Sequence, residues 1–237
     1  MAKKHASAAP VAQTEFTTDT LKFLRALKRN NRREWFQPRK DEFDALVKAP
    51  MVALVERLAV DFNAFAPDLV ANPKTSIYRI YRDTRFSDDK APYKTHIAAH
   101  FQHRDLPRGG SAGLYLHVGA DECWVGGGLY APDTSQLVAI REHISTNLRQ
   151  LRAIVESPGF RKQVGQLEGE RLQRVPRGYP ADHEAAEYLR FRQFLAGGAF
   201  ERDQPTSPRF YKDVVSVFKQ VAPLVAFLND GLLARHV

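Results

Sequence analysis

Apolar positions recur at helical spacing over the first quarter of the chain and alternate two by two through the middle. Leu21, Leu24 and Leu27, with Phe23 beside them, mark one face of a first helix that Thr18 or Asp19 can cap. The asparagines of 30-NNRREWF-36 favour its end. Pro38 suits a first helical position, and Phe43, Leu46 and Val47 supply the next stripe. Pro50 opens a third helix carrying Val52, Leu54, Val55, Leu58, Phe62 and Phe65, followed by a loop over 66-APDLVANPK-74.

The middle third has period two. Residues 76–82 read as a strand, and so do 95–102, 112–118 and 123–130, with a turn at 119-GADE-122. In 95–102, Ile97, Ala99 and Phe101 share one face and His96, Ala98 and His100 the other. The glycine run 126–128 weakens a strand interior. It implies a bulge, the commoner device, or a close approach by another backbone or a ligand.

Asp133 and Gln136 form a capping-box start for a helix through Leu137, Ile140, Ile144 and Leu148. Leu151, Ile154 and Val155 continue it or begin a second one, and Pro158-Gly159 breaks the chain. A short strand is expected at 170–175 and a loop with a helical turn over 176–188. Residues 189–195 suit strand or helix, and Gly197-Gly198 reads as punctuation. From Pro208 a long terminal helix carries Phe210, Val214, Val217, Phe218, Val221, Leu224 and Phe227, with Pro223 expected to kink it. No repeat or linker divides the chain. The pattern predicts a disordered tail over 1–15 and one α+β domain over 16–237. A mostly antiparallel sheet would pack with N-terminal, central and C-terminal helices.

Composition adds a bias toward anionic partners. The 35 Lys and Arg outnumber 27 Asp and Glu, a net charge of +8. The lone Cys123 excludes an intrachain disulfide and reads as a buried small hydrophobe. The N-terminal segment lacks the apolar core of a secretory signal, and no stretch approaches the roughly 20 apolar residues of a membrane span, so a cytoplasmic location with no membrane partner is expected. There is no Walker loop, G-x-G-x-x-G, G-x-S-x-G or Cys-x-x-Cys, and no RNA-recognition or helix-turn-helix signature.

Candidate chemistry concentrates in 78-YRIYRDTRFSDDKAPYKTH-96. Arg79, Arg82 and Arg85 offer planar donor forks matched to phosphate or carboxylate. Asp83 and Asp89 can orient them, with Asp83 a weak candidate for a base, and Lys90 and Tyr93 can close the site. A flat strand would put Arg79 and Arg82 on opposite faces, so a shared site requires the chain to twist or leave the sheet near Arg82. The competing reading is an internal network of ion pairs that pins a loop, and residue chemistry leaves both open. No cofactor or metal is expected. His96 and His100 would lie about 13 Å apart along one strand at roughly 3.3 Å per residue. His100 can instead face His117 across neighbouring strands, but surface-strand histidines are the plainer reading, and 182-DHE-184 reads as a helix start. In 30-NNRREWF-36 the aromatics suit a core plug, while Arg32 and Arg33 can add charge to the same cleft.

The pattern 79-RIYRDTRFSDDKAPY-93, an R-x-x-R-D-x-R-F followed by D-K-x-x-Y, resembles the signature of the domain of unknown function 2461 family, uncharacterised proteins of bacteria. The likeness extends to 23-FLRALKRNNRREWF-36, 113-GLYLHVGADECWVGGGLY-130 and 181-ADHEAAEYLRFRQF-194. The matching positions are Arg79, Arg82, Asp83, Arg85, Phe86, Asp89, Lys90 and Tyr93. The resemblance implies no reaction. The expectation is a basic cleft for a phosphate- or carboxylate-bearing ligand; the alternatives are a nucleic-acid-binding module, or a structural protein whose Arg/Asp motif is an internal salt-bridge network.

Overall fold

The computed structural model describes residues 14–85 and 87–234. The expected tail lies outside them except for Thr14 and Glu15, as does Phe86. Helix α1 (Thr18–Arg29) starts at Thr17, one residue before the expected cap, and ends at Asn30. Three helical segments follow almost without pause: α2 (Arg33–Phe36), α3 (Lys40–Phe43) and α4 (Ala49–Phe65). A 3-10 turn at Gln37–Arg39 and a π turn at Asp44–Lys48 join them. Pro50 has no N–H for the Leu46 carbonyl. The buried Thr20 hydroxyl donates to that carbonyl at 2.6 Å and so ties α1 to the π turn.

After the single turn α5 (Pro73–Ser76) comes an antiparallel sheet of β1 (His96–Gln102), β2 (Gly113–Gly119) and β3 (Cys123–Leu129). The chain then makes α6 (Thr134–Thr146), α7 (Leu148–Val155), α8 (Pro158–Gln163) and α9 (Ala186–Leu189) before β4 (Phe194–Phe200) adds beside β3. The sheet order is β1-β2-β3-β4. The last element, α10 (Phe210–Leu233), continues through Pro223. The architecture is α+β, as the alternating periods imply.

The sheet has one covered and one open face. Ile97, Ala99, Phe101, Leu114, Leu116, Val118 and Val125 are buried beneath α10 and α4. Phe62, Phe101 and Phe218 meet edge to face at 5.1 and 5.8 Å, joining α4, β1 and α10. Asn229, 1% exposed, closes a two-way hydrogen bond with the backbone of Ala112 at 2.9 and 3.1 Å, fixing α10 to the start of β2.

Four local expectations need correction. Residues 76–82 form no continuous strand. Ile77 bridges Ala99 and Tyr81 bridges Tyr93, with a bend at Ile80 between them. The run 126–128 is not a bulge: β2 and β4 pair with it residue for residue. A Cβ on Gly126 would stand 2.6 Å from the Gly197 Cα, so close backbone approach is what excludes side chains there. Gly197-Gly198 lies inside β4 instead of ending an element, and Gly197 meets the Gly126 backbone as closely, a Cβ there standing 2.7 Å from its Cα. The expected strand at 170–175 is reduced to bridges at Glu168 and Arg171.

Candidate functional site

The charged stretch folds as a hairpin. Lys94 N donates to the Ile80 carbonyl at 2.8 Å and Arg82 N to the Pro92 carbonyl at 3.0 Å. Upstream, Tyr78 N donates to the Ala98 carbonyl at 2.9 Å, so the first arm lies beside the edge strand β1. The two bridges differ in offset by two residues, and the bend at Ile80 absorbs the difference. Strict alternation therefore fails: Ile77 packs against the core and Ile80 lies within it.

The hairpin loop binds its own charges. Arg82 pairs with Asp89, and its other nitrogen stands 3.5 Å from the Ser87 hydroxyl. Arg85 grips Asp83 through two side-chain bonds of 3.0 and 2.8 Å. These guanidiniums hold both carboxyls below the usual carboxylate range. Lys90 caps the Thr84 carbonyl at 3.0 Å. Tyr93 is 1% exposed, its ring centroid 4.2 Å from that of Phe36. Its backbone is clamped from both sides by Asn31, at 2.8 and 3.0 Å. The plug expected of 30-NNRREWF-36 is thus Phe36 with Asn31; Trp35 packs on Phe23 at 5.7 Å, while Arg32 and Arg33 are exposed.

Of the eight motif residues Phe86 lies outside the described residues, and of the other seven Arg79 lines a groove. A groove of about 410 Å³ runs between the π turn and the first hairpin arm. Its floor is apolar, from Phe36, Phe43, Val52, Ile77, Ile80 and Ile97. Its cations are Lys40, Lys48, Lys74 and Arg79, and its one carboxylate, Asp44, is already paired with Lys40. Among the described residues Lys48, Lys74 and Arg79 make no ion pair; Arg79 feels Asp83 only at longer range. Tyr78 and Tyr81, 43% and 44% exposed, complete the wall. Two larger hollows beside α6, of about 560 and 610 Å³, gather no such charge: their ionisable residues are Glu142 and His143 in one, Arg149, His183 and Glu184 in the other. Lys40, Lys48 and Lys74 come from three elements, and no sequence spacing flags them.

The open face of the sheet adjoins the groove at Tyr78. Register sets His100 opposite Tyr115 and His117 opposite Ala98, so His117 meets His96 and not His100, with ring centroids 5.1 Å apart. Burial pushes His96 and His100 down to about 4, so both are neutral at pH 7. It also lowers His117, against the pull of Glu122, and lifts Tyr115 to about 12. Glu122 Oε1 stands 3.4 Å from His117 Nε2 without the geometry of a hydrogen bond, so that buried nitrogen has no hydrogen-bond partner among the described residues. Lys94 sits 4.8 Å over the Tyr78 ring, its charged form disfavoured by burial and then by Arg79. Cys123 is buried and its thiol pushed up to about 12, which leaves it inert. Among the described residues no three His, Cys, Asp or Glu side chains are placed to hold a metal ion, and no helix is long and apolar enough to cross a membrane.

The family model described as conserved hypothetical protein (DUF2461) matches residues 19–227. The chain belongs to this family. The match takes in the hairpin, the groove and the whole sheet. No curated protein and no solved structure matches the chain.

Proposed function

We propose that the protein binds a small phosphate- or carboxylate-bearing ligand in the groove between the π turn and residues 77–81. One observation carries this reading: three cations without carboxylate partners, Lys48, Lys74 and Arg79, converge on an apolar-floored groove whose only acid is already neutralised. Such a rim attracts an anion, and the floor accepts the ligand's apolar body. Arg79 is the natural fork for the anion, and Tyr78 and Tyr81 flank it with hydroxyls and ring faces. Arg82, Asp83, Arg85, Asp89 and Lys90 act indirectly in this reading, by holding the loop that ends the hairpin, and Tyr93 anchors it from below. None of them is assigned a chemical step.

Thermal melting across a panel of phosphates, pyrophosphate and di- and tricarboxylates tests it. At least one anion should raise the melting temperature, and Arg79→Glu or Lys48→Glu should abolish the rise while leaving the apo melting temperature within a few degrees. A charge-assisted hydrogen bond contributes about 1.5–3 kcal/mol, so removing Arg79 should weaken binding at least roughly tenfold. If no anion protects the wild type, or if Arg79→Glu is protected equally, the groove is not the site.

A further inference from the structure

We propose that the open face of the sheet is a stacking platform for single-stranded nucleic acid, a site that adjoins the anion groove at Tyr78 and otherwise uses different residues. Four rings run in series across three strands: His96 to His117 at 5.1 Å, His117 to Tyr115 at 5.7 Å, and Tyr115 to Trp124 at 6.0 Å. Beside them His100 and Tyr78 lie nearly parallel, with 9° between their planes. Tyr78 is exposed and the other five are part-buried, and α10 and α4 pack on the opposite face.

Trp124 and His100 lie along the sheet because glycines make room for them, while Tyr115 meets His117 edge-on at 69°. A Cβ on Gly126 or Gly197 would stand 2.6 Å from the far ring of Trp124, and one on Gly113 would stand 2.5 Å from His100 Nε2. The indole thus rests along the sheet and turns its other face outward, the posture a base can stack on. Held neutral by burial, the histidines present flat heteroaromatic faces and not point charges.

Charge and composition favour a nucleic acid over a protein. Lys94 and Arg108 border the face, and neither has a carboxylate partner among the described residues: Lys94 lies over Tyr78, and Arg108 donates to the Thr75 carbonyl. Among the described residues the acid beside the rings is Glu122, at the end of the row. With a net charge of +8 the whole chain attracts phosphates. Large aliphatic side chains on this face amount to Leu195, too few for the apolar core of a protein interface. A mononucleotide covers one ring, whereas this row crosses three strands and seats several bases.

Fluorescence anisotropy of a labelled oligothymidylate of about 12 nucleotides, with the full chain, tests the platform. Binding is expected at low salt. Trp124→Ala and Tyr115→Ala should each weaken it by roughly five- to a hundredfold, as loss of one stacked base predicts. Trp124→Phe should keep most of it, which separates stacking from misfolding, with circular dichroism of each variant as the check. Lys94→Gln should lower the salt slope by about one. Three results overturn the proposal: no binding at low salt, an abasic strand bound as tightly, or thymidine monophosphate competing as well as the strand. Arg79→Glu should leave ring-dependent binding standing, so failure here and failure of the groove reading are distinguishable.

Discussion

Asn31 holds the hairpin against the helices, and its removal has a calculable cost. Its carboxamide donates to the Tyr93 carbonyl at 2.8 Å and accepts from the Tyr93 N–H at 3.0 Å, spanning 62 residues of chain. Tyr93 is buried, so Asn31→Ala strands a backbone donor and acceptor that water reaches poorly. Each orphaned group costs about 1–3 kcal/mol, offset where water enters the space left by the amide, which gives about 2–4 kcal/mol in all. At about 2–4 °C per kcal/mol for a chain of this size, the melting temperature should fall by roughly 4–16 °C. Asn31→Asp keeps the acceptor but sets a carboxylate against the Tyr93 carbonyl, and should cost at least as much. Urea unfolding with both variants gives the free energies, and hydrogen exchange at the Tyr93 amide gives the local consequence: faster exchange in both. A loss below about 0.5 kcal/mol for Asn31→Ala would refute the clamp between Asn31 and the hairpin.

Other outcomes follow from the same geometry. His96 and His100 stay neutral when folded down to about pH 4, whereas the unfolded chain protonates them below about 6.5, so stability should fall as pH drops from 6.5 toward 4 and level off below it. At pH 5 the loss should be about 1–2 kcal/mol per ring, reduced because both remain partly exposed; urea midpoints at pH 7 and 5 should differ, and less so in a His96→Gln, His100→Gln double variant. Gly126→Val should be among the most destabilising single changes in the sheet, because its Cβ would press on the Ala196 carbonyl and the Gly197 Cα, neither of which can rotate aside; a cost of at least roughly 1–3 kcal/mol is expected in urea. Arg85→Ala should leave the urea midpoint nearly unchanged, since its pair with Asp83 lies in solvent, and a marked drop would show that the loop matters more to the fold than its exposure implies.

The helices were the most legible part of the sequence. α6 begins at Asp133 with the Gln136 box that its spacing announces, and α10 follows a clean 3.6-residue stripe. β1 and β2 show in the alternation of large residues with His96, His100, Tyr115 and His117. β4 did not, because FLAGGAF has almost nothing to alternate. Its Gly197 answers to Trp124 and Gly126 of β3, a neighbour that is not visible until the strands are paired. The charged stretch stood out by density, yet density does not say where a guanidinium points. Arg82 and Arg85 turn onto carboxylates seven and two residues away, an outcome that spacing permits but does not require. The groove was hidden for a related reason: Lys48 lies in a π turn and Lys74 in a single helical turn, and only tertiary packing brings them to Arg79.

The central claim is that anions bind at the π turn and the first hairpin arm and not in the hairpin loop. Titrating the isotope-labelled chain with pyrophosphate and following backbone amide shifts by nuclear magnetic resonance tests this residue by residue. Saturable shifts confined to residues 40–48 and 73–81, and lost in Arg79→Glu, are expected. Shifts centred on residues 83–90, or none at millimolar pyrophosphate, would contradict it.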